Sequence, residues 1–238
     1  MNDGHLLVAY HGCDITVRDA VVSGQLTLKP SANDYDWLGS GVYAFEGDPA
    51  RAMVFAETAA REPQRRLTKQ PIATPAVLGA LLCVRRCLDV TTRVGLEQFA
   101  AAYDALGEAW VTAGVPEDRR PVNSPAAAED ADVIVRKLDN AVFQLLHAMV
   151  EGRGDAPYQV VRGAFRQGPE LAPRSGLHRD SHVQLAVRDM TCVVGWFLPP
   201  GDRLMSGPEA EAAAGRYNAA RHAYQASKTR IHRASETH

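Results

Sequence analysis

Apolar residues along the chain follow two kinds of spacing, and each kind predicts one type of element. Short apolar runs of about four to eight residues, bounded by Gly, Pro or polar clusters, predict strands. Apolar positions that recur at helical spacing predict longer helices. The expected strands are 6–10, 42–45, one within 76–90, 158–165, 182–187 and 192–198. The expected helices are about 14–24, one from Asp48 to about Ala60, 93–113, 127–151 and 208–233.

Residues at the predicted helix ends agree with this assignment. Asp14 precedes the first helix as an N-cap, and Gly24 stands just past its end. Asp48 precedes the second helix, with Pro49 at the first helical position. Carboxylates satisfy the unpaired N–H groups at a helix start, and proline is tolerated in the first turn. Both helices are therefore expected to begin directly after their aspartates.

The order of the predicted elements favours an α+β fold. Strands occur at the start, middle and end of the chain, with helices inserted between them, and regular β-α alternation is missing. The dinucleotide fingerprint G-x-G-x-x-G is also absent from the sequence. We interpret 1–238 as a single domain, with a helical insertion at about 92–152 and a C-terminal helix at about 208–233.

Composition and charge bear on whether nucleic acid or a membrane is an expected partner. The 238 residues are 46% hydrophobic and 23% charged, and 26 Lys and Arg nearly balance 28 Asp and Glu. This balance offers no electrostatic reason for tight nucleic-acid binding. No apolar run approaches the roughly 18 residues of a membrane helix, and the first residues lack a leader signature. A cytoplasmic protein without a membrane partner is the default expectation.

Cysteine spacing gives no reason to expect a metal. Cys83 and Cys87 form a C-x3-C pair inside an apolar run, and no second nearby pair completes a zinc site. We expect these two, together with Cys13 and Cys192, to be buried free thiols.

Five residues form the constellation that bears on function. His11 and Gly12 end the first predicted strand, and Tyr43 lies 32 residues past His11 in the second. Phe55 falls in the following helix, and Gln184 in a late strand. This order resembles the ADP-ribosyltransferase superfamily of the diphtheria-toxin and poly-ADP-ribose polymerase type. Members carry an early His-Gly, a tyrosine in a G-x-G-[VI]-Y-F strand, and usually a late glutamate.

The resemblance covers most of residues 8–198. Within that range the sequence is similar to a bacterial branch of the superfamily. The matching stretches are Tyr10–Gly12, Trp37–Phe45, Gly79–Asp89, Arg136–Val142, Tyr158–Gly168 and Ser181–Phe197. It implies a split antiparallel β-sheet core with inserted helices, NAD as the substrate, and no metal.

The resemblance also implies a role for each residue of the constellation. His11 would hold the adenosine-side ribose, and the Gly12 backbone would approach the nicotinamide carboxamide. Tyr43 and Phe55 would enclose the nicotinamide ring between flat faces. Gln184 would hydrogen-bond the nicotinamide ribose. His11, Tyr43 and Gln184 are thus the expected catalytic residues.

Arg162 completes the expected NAD-binding set. A guanidinium in a strand needs an anionic partner, and the NAD pyrophosphate is one candidate. A structural salt bridge with Asp139 is the alternative.

Two positions depart from the family pattern. Gln184 stands where a glutamate is commonest. Gln167 stands at the glutamate position of the branch's motif "R-G-V-F-x-E-G". A neutral amide cannot act as a base and carries no charge to oppose an oxocarbenium ion. Chain elongation to poly-ADP-ribose is therefore not expected.

Each residue of the constellation also has a structural interpretation. His11 would be a hydrogen-bonded strand-end histidine, Tyr43 a core aromatic, and Phe55 a buried helix residue. Gln184 would be polar on a solvent-facing strand side.

Two further histidines and the C-terminal helix have interpretations of their own. His182 shares a sheet face with Gln184 by strand alternation, and His147 is expected to be structural. The C-terminal helix carries a basic face that is either solvated or in contact with an acidic partner or nucleic acid, formed by Arg216, Arg221, Lys228, Arg230 and Arg233.

The resulting expectation is a mono-ADP-ribosyltransferase that cleaves the nicotinamide–ribose bond and modifies a protein or nucleic acid. A toxin or defence effector role suits this activity. The alternatives are an NAD glycohydrolase, a non-catalytic module that binds a nucleotide or partner, and an enzyme of the RNA 2′-phosphotransferase kind.

Overall fold

A computed structural model describes residues 4–65, 68–126 and 130–235. The expected α+β class is confirmed, because helices and a mostly antiparallel sheet form the fold. The strands are β1 (His5–Asp14), β2 (Val42–Glu46), β3 (Pro75–Val84), β4 (Cys87–Asp89), β5 (Asn123–Ser124), β6 (Val135–Arg136), β7 (Val160–Phe165), β8 (His182–Val187) and β9 (Val193–Phe197). The helices are α1 (Ile15–Val22), α2 (Pro49–Arg61), α3 (Arg93–Thr112), α4 (Lys137–Gly152) and α5 (Gly207–Ser235).

Seven of these strands form one sheet in the order β4-β7-β8-β2-β1-β3-β9, and β5 pairs with β6 separately. The β2–β8 and β7–β8 pairs are antiparallel, whereas β4 runs parallel to β7 at the edge. Because most neighbours are distant in sequence, pairing depends on residues far apart in the chain.

The chain divides into two compact units. The first comprises Met1–Ala9, Leu28–Glu46 and Leu81–Val194, and the second comprises Tyr10–Thr27, Gly47–Ala80 and Gly195–His238. The interpretation of 1–238 as one domain stays a prediction.

In the first unit, helices α3 and α4 cover one face of the β2, β4, β7 and β8 strands. The buried side chains between them are Leu38, Leu88, Ala102, Val142, Phe143, Leu146, Val161 and Ala186. Strands β7 and β8 are rich in small and branched apolar residues, which suits burial against helices. This packing determines which side chains of β2 and β8 lie beneath the helices.

Helix α4 begins ten residues later than the apolar spacing predicts. Residues 135–136, which the spacing predicts as helix, instead form a short ladder with 123–124, which lie in the predicted linker 114–126. The side-chain oxygen of Asn123 accepts the N–H groups of Leu138 and Asp139, at 3.0 and 3.3 Å, and so caps the helix from outside its own sequence. The first predicted residues, 127–129, lie outside the described residues.

In the second unit, the predicted helix starts are confirmed. The Asp14 carboxylate accepts the N–H of Thr16 at 2.9 Å and also the N–H groups of Ala73 and Thr74. The Asp48 carboxylate accepts the N–H of Arg51 at 2.8 Å. Each aspartate thus caps its helix, and Asp14 also holds a distant loop.

Helix α5 confirms the predicted C-terminal helix. The Tyr224 hydroxyl donates to the carbonyl of Thr68 at 2.7 Å, and Arg216 donates to the Thr74 hydroxyl. The side chains of Lys228, Arg230 and Arg233, part of the predicted basic face, lie outside the described residues.

The four cysteines are free thiols. Cys13 and Cys192 are buried as expected, whereas Cys83 and Cys87 are only half-buried. Across the described ranges, no cluster of His, Cys, Asp and Glu has the arrangement of a metal site. Within the same ranges, no helix is long and apolar enough to cross a membrane.

Candidate functional site

Strand register places Tyr43 and Gln184 on one face of the first-unit sheet. Tyr43 lies opposite Ala186, and Phe45 lies opposite Gln184. Directly opposed residues share a face, and residues two apart on a strand share it too. Tyr43 and Gln184 are therefore diagonal neighbours, whose Cα atoms are expected roughly 7–8 Å apart.

The Tyr43 side chain is tied to the turn that precedes its own strand. Its hydroxyl donates to the carbonyl of Gly39 at 2.6 Å and accepts the N–H of Leu38 at 2.8 Å. The ring packs against the cluster beneath α3 and α4. Burial, reinforced by the nearby Asp36 carboxylate, raises the pKa of the Tyr43 phenol well above its usual value. The Tyr43 phenol therefore keeps its proton at neutral pH, and its hydroxyl both donates and accepts a hydrogen bond within the turn.

Gln184 is half-buried between two neighbouring strands, opposite Phe45 on β2 and Gly163 on β7. His182 lies on the same face, as predicted, because it pairs with Phe165 two positions along. The His182 Nδ1 atom is 2.7 Å from the carbonyl oxygen of Asp180. Since a carbonyl only accepts, Nδ1 carries a proton.

Aromatic rings enclose His182. Its ring centroid is 5.0 Å from that of Phe45, 5.7 Å from that of Phe165 and 6.2 Å from that of Trp37. The Arg136 guanidinium lies 5.0 Å from the Trp37 ring centroid and 5.6 Å from that of Phe165. Sequence reasoning assigned no role to Trp37, Phe165 or Arg136, although all three fall in matched stretches. Their shared location became visible only through strand register.

Arg162 lies on the opposite face from Gln184, because Arg162 pairs with Leu185 while Gly163 pairs with Gln184. Its guanidinium is 2.6 Å from the Glu46 carboxylate and 3.1 Å from that of Asp89. The Glu46 hydrogen bond raises the pKa of Arg162. The structure thus provides a salt bridge at this position and separates Arg162 from the Tyr43 and Gln184 face.

The suggested ion pair of Arg162 with Asp139 is wrong. Asp139 accepts from Arg136 at 3.0 Å and from the Asn123 side chain at 2.7 Å. Both partners are closer to Asp139 in sequence than Arg162 is, and Asn123 also caps the start of α4. Sequence alone gave no means of choosing Glu46 and Asp89 among the acidic residues.

His11, Gly12 and Phe55 belong to the second unit. Strand β1 continues through His11 and Gly12 to Asp14, so the prediction that the strand ends at His11 is wrong. His11 and Phe55 are half-buried, whereas Gly12 is buried. A Cβ atom on Gly12 would collide with the Ala52 carbonyl of α2 and lie 3.2 Å from the Phe55 ring. Gly12 and Phe55 are thus neighbours, and close helix packing requires a glycine there.

Three of the free thiols are poor nucleophiles. Burial raises the pKa of Cys13 to about 12 and those of Cys87 and Cys192 to about 11. Because the thiolate is the reactive form, these three cysteines stay unreactive at neutral pH.

Comparison with protein-family models gives no match, and comparisons with curated proteins and with solved structures give none either. The candidate site therefore depends on the residues and geometry described above.

Proposed function

We propose that this protein binds NAD, cleaves its nicotinamide–ribose bond and transfers ADP-ribose to a protein or nucleic-acid acceptor. The supporting observation is the shared sheet face of Tyr43 and Gln184, which β2–β8 register creates between residues 141 positions apart. In the resembled family a tyrosine and a late-strand residue act together. The sequence order of His11, Gly12 and Phe55 supplies the remaining support.

The chemistry makes few demands on proton transfer. Nicotinamide leaves as a neutral molecule from a cationic ring, and the ribose passes through an oxocarbenium-like state. The protein must hold the dinucleotide in a productive shape and hydrogen-bond the ribose hydroxyls. The Gln184 amide both donates and accepts hydrogen bonds, so it suits this orienting role. A neutral amide stabilises the cationic state less than a carboxylate would.

A non-catalytic nucleotide-binding module is the second candidate. The observation that favours it is the Tyr43 hydroxyl, which both Leu38 and Gly39 already engage. Together with the neutral Gln184, this arrangement would bind a nucleotide without turning it over.

The test is to incubate the purified protein with NAD labelled in the adenylate phosphate, with and without cell lysate. Labelled macromolecules and free nicotinamide are measured together. We expect both in the wild type and neither in His11→Ala, because the ribose contact is lost. His5→Ala removes an exposed histidine from the same strand and should leave both signals unchanged. Gln184→Glu should increase nicotinamide release, since a carboxylate opposes the developing positive charge.

Each candidate predicts a different pattern. Nicotinamide release without label transfer identifies an NAD glycohydrolase. NAD binding measured by calorimetry, with no release, identifies the binding module. The NAD proposal as a whole is overturned if the wild-type protein neither binds NAD nor releases nicotinamide.

A further inference from the structure

Three chain segments of the first unit meet at the end of the sheet beyond Val187. The N–H of Gln159, before β7, donates to the carbonyl of Arg86, in the β3–β4 turn, at 2.9 Å. The N–H of Arg188, after β8, donates to the carbonyl of Gln159 at 2.8 Å. These backbone bonds hold Arg86 and Arg188 next to the same short segment.

The side chains of these segments and of α4 gather around Tyr158. The Arg86 guanidinium is 5.1 Å from the Tyr158 ring centroid, and the His147 ring is 6.2 Å from it. The Arg188 guanidinium donates to the Tyr158 carbonyl at 3.1 Å. We call Arg86, His147, Tyr158 and Arg188 the basic cluster.

Positive charge in the basic cluster exceeds the negative charge that faces it. Within the described part of the chain, Glu151 is the carboxylate that pairs with it, 3.5 Å from Arg188, and its side chain is half exposed. The Arg188 side chain is only 19% exposed, and burial lowers its pKa. A guanidinium in such surroundings is stabilised by an anion.

Donor groups of the cluster also remain unused. The Arg86 Nε atom is buried and has no hydrogen-bond partner in the described residues, and the same holds for both ring nitrogens of His147. His147 is 3% exposed. Buried polar groups without partners cost free energy and are rare in folded proteins. Their accumulation at one place beside two arginines indicates a ligand site.

We propose that the basic cluster binds a phosphate group. Phosphate oxygens accept from two guanidinium groups at once, and arginine matches their geometry with parallel N–H donors. A phosphate would supply the negative charge that Glu151 only partly provides.

The basic cluster lies at the Val187 end of the face that carries Tyr43 and Gln184, because His147 Nε2 is 4.0 Å from the position that a Gly39 Cβ would occupy and the Gly39 carbonyl accepts the Tyr43 hydroxyl. Arg188 follows Gln184 by four residues, which corresponds to roughly 13 Å of extended chain. The inference therefore does not depend on NAD cleavage.

The experiment titrates the full-length protein with inorganic phosphate, and separately with a dinucleoside monophosphate, and follows the His147 ring resonances by NMR. Bound phosphate should raise the His147 pKa, because a nearby anion favours the imidazolium ion. Arg86→Gln should weaken binding about tenfold, the value of one charge-assisted hydrogen bond. Arg86 is a suitable target because its Nε donates no hydrogen bond, so its loss should spare the fold.

The matched control is Arg153→Gln, which removes one exposed positive charge just past α4. It should bind phosphate as the wild type does. The proposal is supported if the His147 resonances respond to either ligand and if Arg86→Gln weakens this response while Arg153→Gln preserves it. The ligand that gives the response identifies free phosphate or a phosphodiester as the source. The proposal is overturned if neither ligand shifts the His147 resonances, or if both variants lose binding equally.

Discussion

At the scale of single residues, the missing side chain of Gly12 allows helix α2 to lie close to strand β1. The Ala52 carbonyl and the Phe55 ring occupy the space where a Cβ would lie. Backbone atoms of a helix cannot move aside as a flexible side chain can. Any larger residue at position 12 must displace α2.

We therefore predict that Gly12→Ala lowers the free energy of unfolding by about 1–3 kcal/mol, the usual cost of overpacking. Denaturant unfolding followed by circular dichroism measures this change. The matched control is Gly215→Ala in α5, where a Cβ meets nothing within 4 Å. That substitution should stabilise the protein by about 0.5–1 kcal/mol, because alanine favours helix over glycine. Equal stability of Gly12→Ala and the wild type would show that α2 is not packed as described.

At the scale of secondary-structure elements, Arg162 connects strands that do not all pair directly. It lies on β7 and binds Asp89 on the neighbouring β4 and Glu46 on β2, with β8 between β7 and β2. Although burial opposes it, hydrogen bonds from Thr91 and the charge of Arg162 lower the pKa of Asp89. One guanidinium thus joins the edge of the sheet to its interior.

Arg162→Gln should destabilise the protein by about 1–3 kcal/mol, because it leaves two partly buried carboxylates without their cation. The three side chains are 23–28% exposed, so solvent screens part of the loss. Arg93→Gln breaks the highly exposed Arg93–Glu97 pair and should change stability by less than about 0.5 kcal/mol. Thermal unfolding compares the two. A drop for Arg93→Gln as large as that for Arg162→Gln would contradict the special role of Arg162.

At the scale of the whole molecule, His147 couples folding to pH. Burial, aided by the Arg188 charge, lowers the pKa of His147 from its ordinary value of 6.5 to about 3. Unfolding exposes the ring, so at a pH between 3 and 6.5 the unfolded chain binds a proton at His147 and the folded chain does not. Stability from this group is complete above the unfolded pKa and falls as the pH drops from there toward 3.

Wild-type stability should therefore decrease by about 2 kcal/mol between pH 7 and pH 5 through His147 alone. His147→Leu removes the titrating ring, and its unfolding free energy should change less over that interval by the same amount. Chemical denaturation of both proteins at each pH measures the difference, while the carboxylates common to both proteins cancel. Parallel pH profiles for the two proteins would show that the His147 pKa is the same in the folded and unfolded chains.

Most helix ends could be predicted from the sequence. The candidate site could be predicted only in part. Helix α3 (Arg93–Thr112) matches its predicted span within a residue, and Asp14 and Asp48 cap as predicted. Caps and apolar spacing act over one or two turns of chain, which makes them visible locally. The start of α4 was mispredicted because the Asn123 cap comes from outside the helix.

The sequence alone indicated most of the longer strands and helices, because those preferences arise among near neighbours, whereas the short β5–β6 ladder and the start of α4 depend on contacts between separate segments. The tertiary structure decided which face each side chain occupies. Only the pairing of β8 with β2 and β7 places Gln184 on the Tyr43 face and Arg162 on the other. A shift of one residue in that pairing would exchange the faces, and no local pattern fixes a register between segments so distant in the chain.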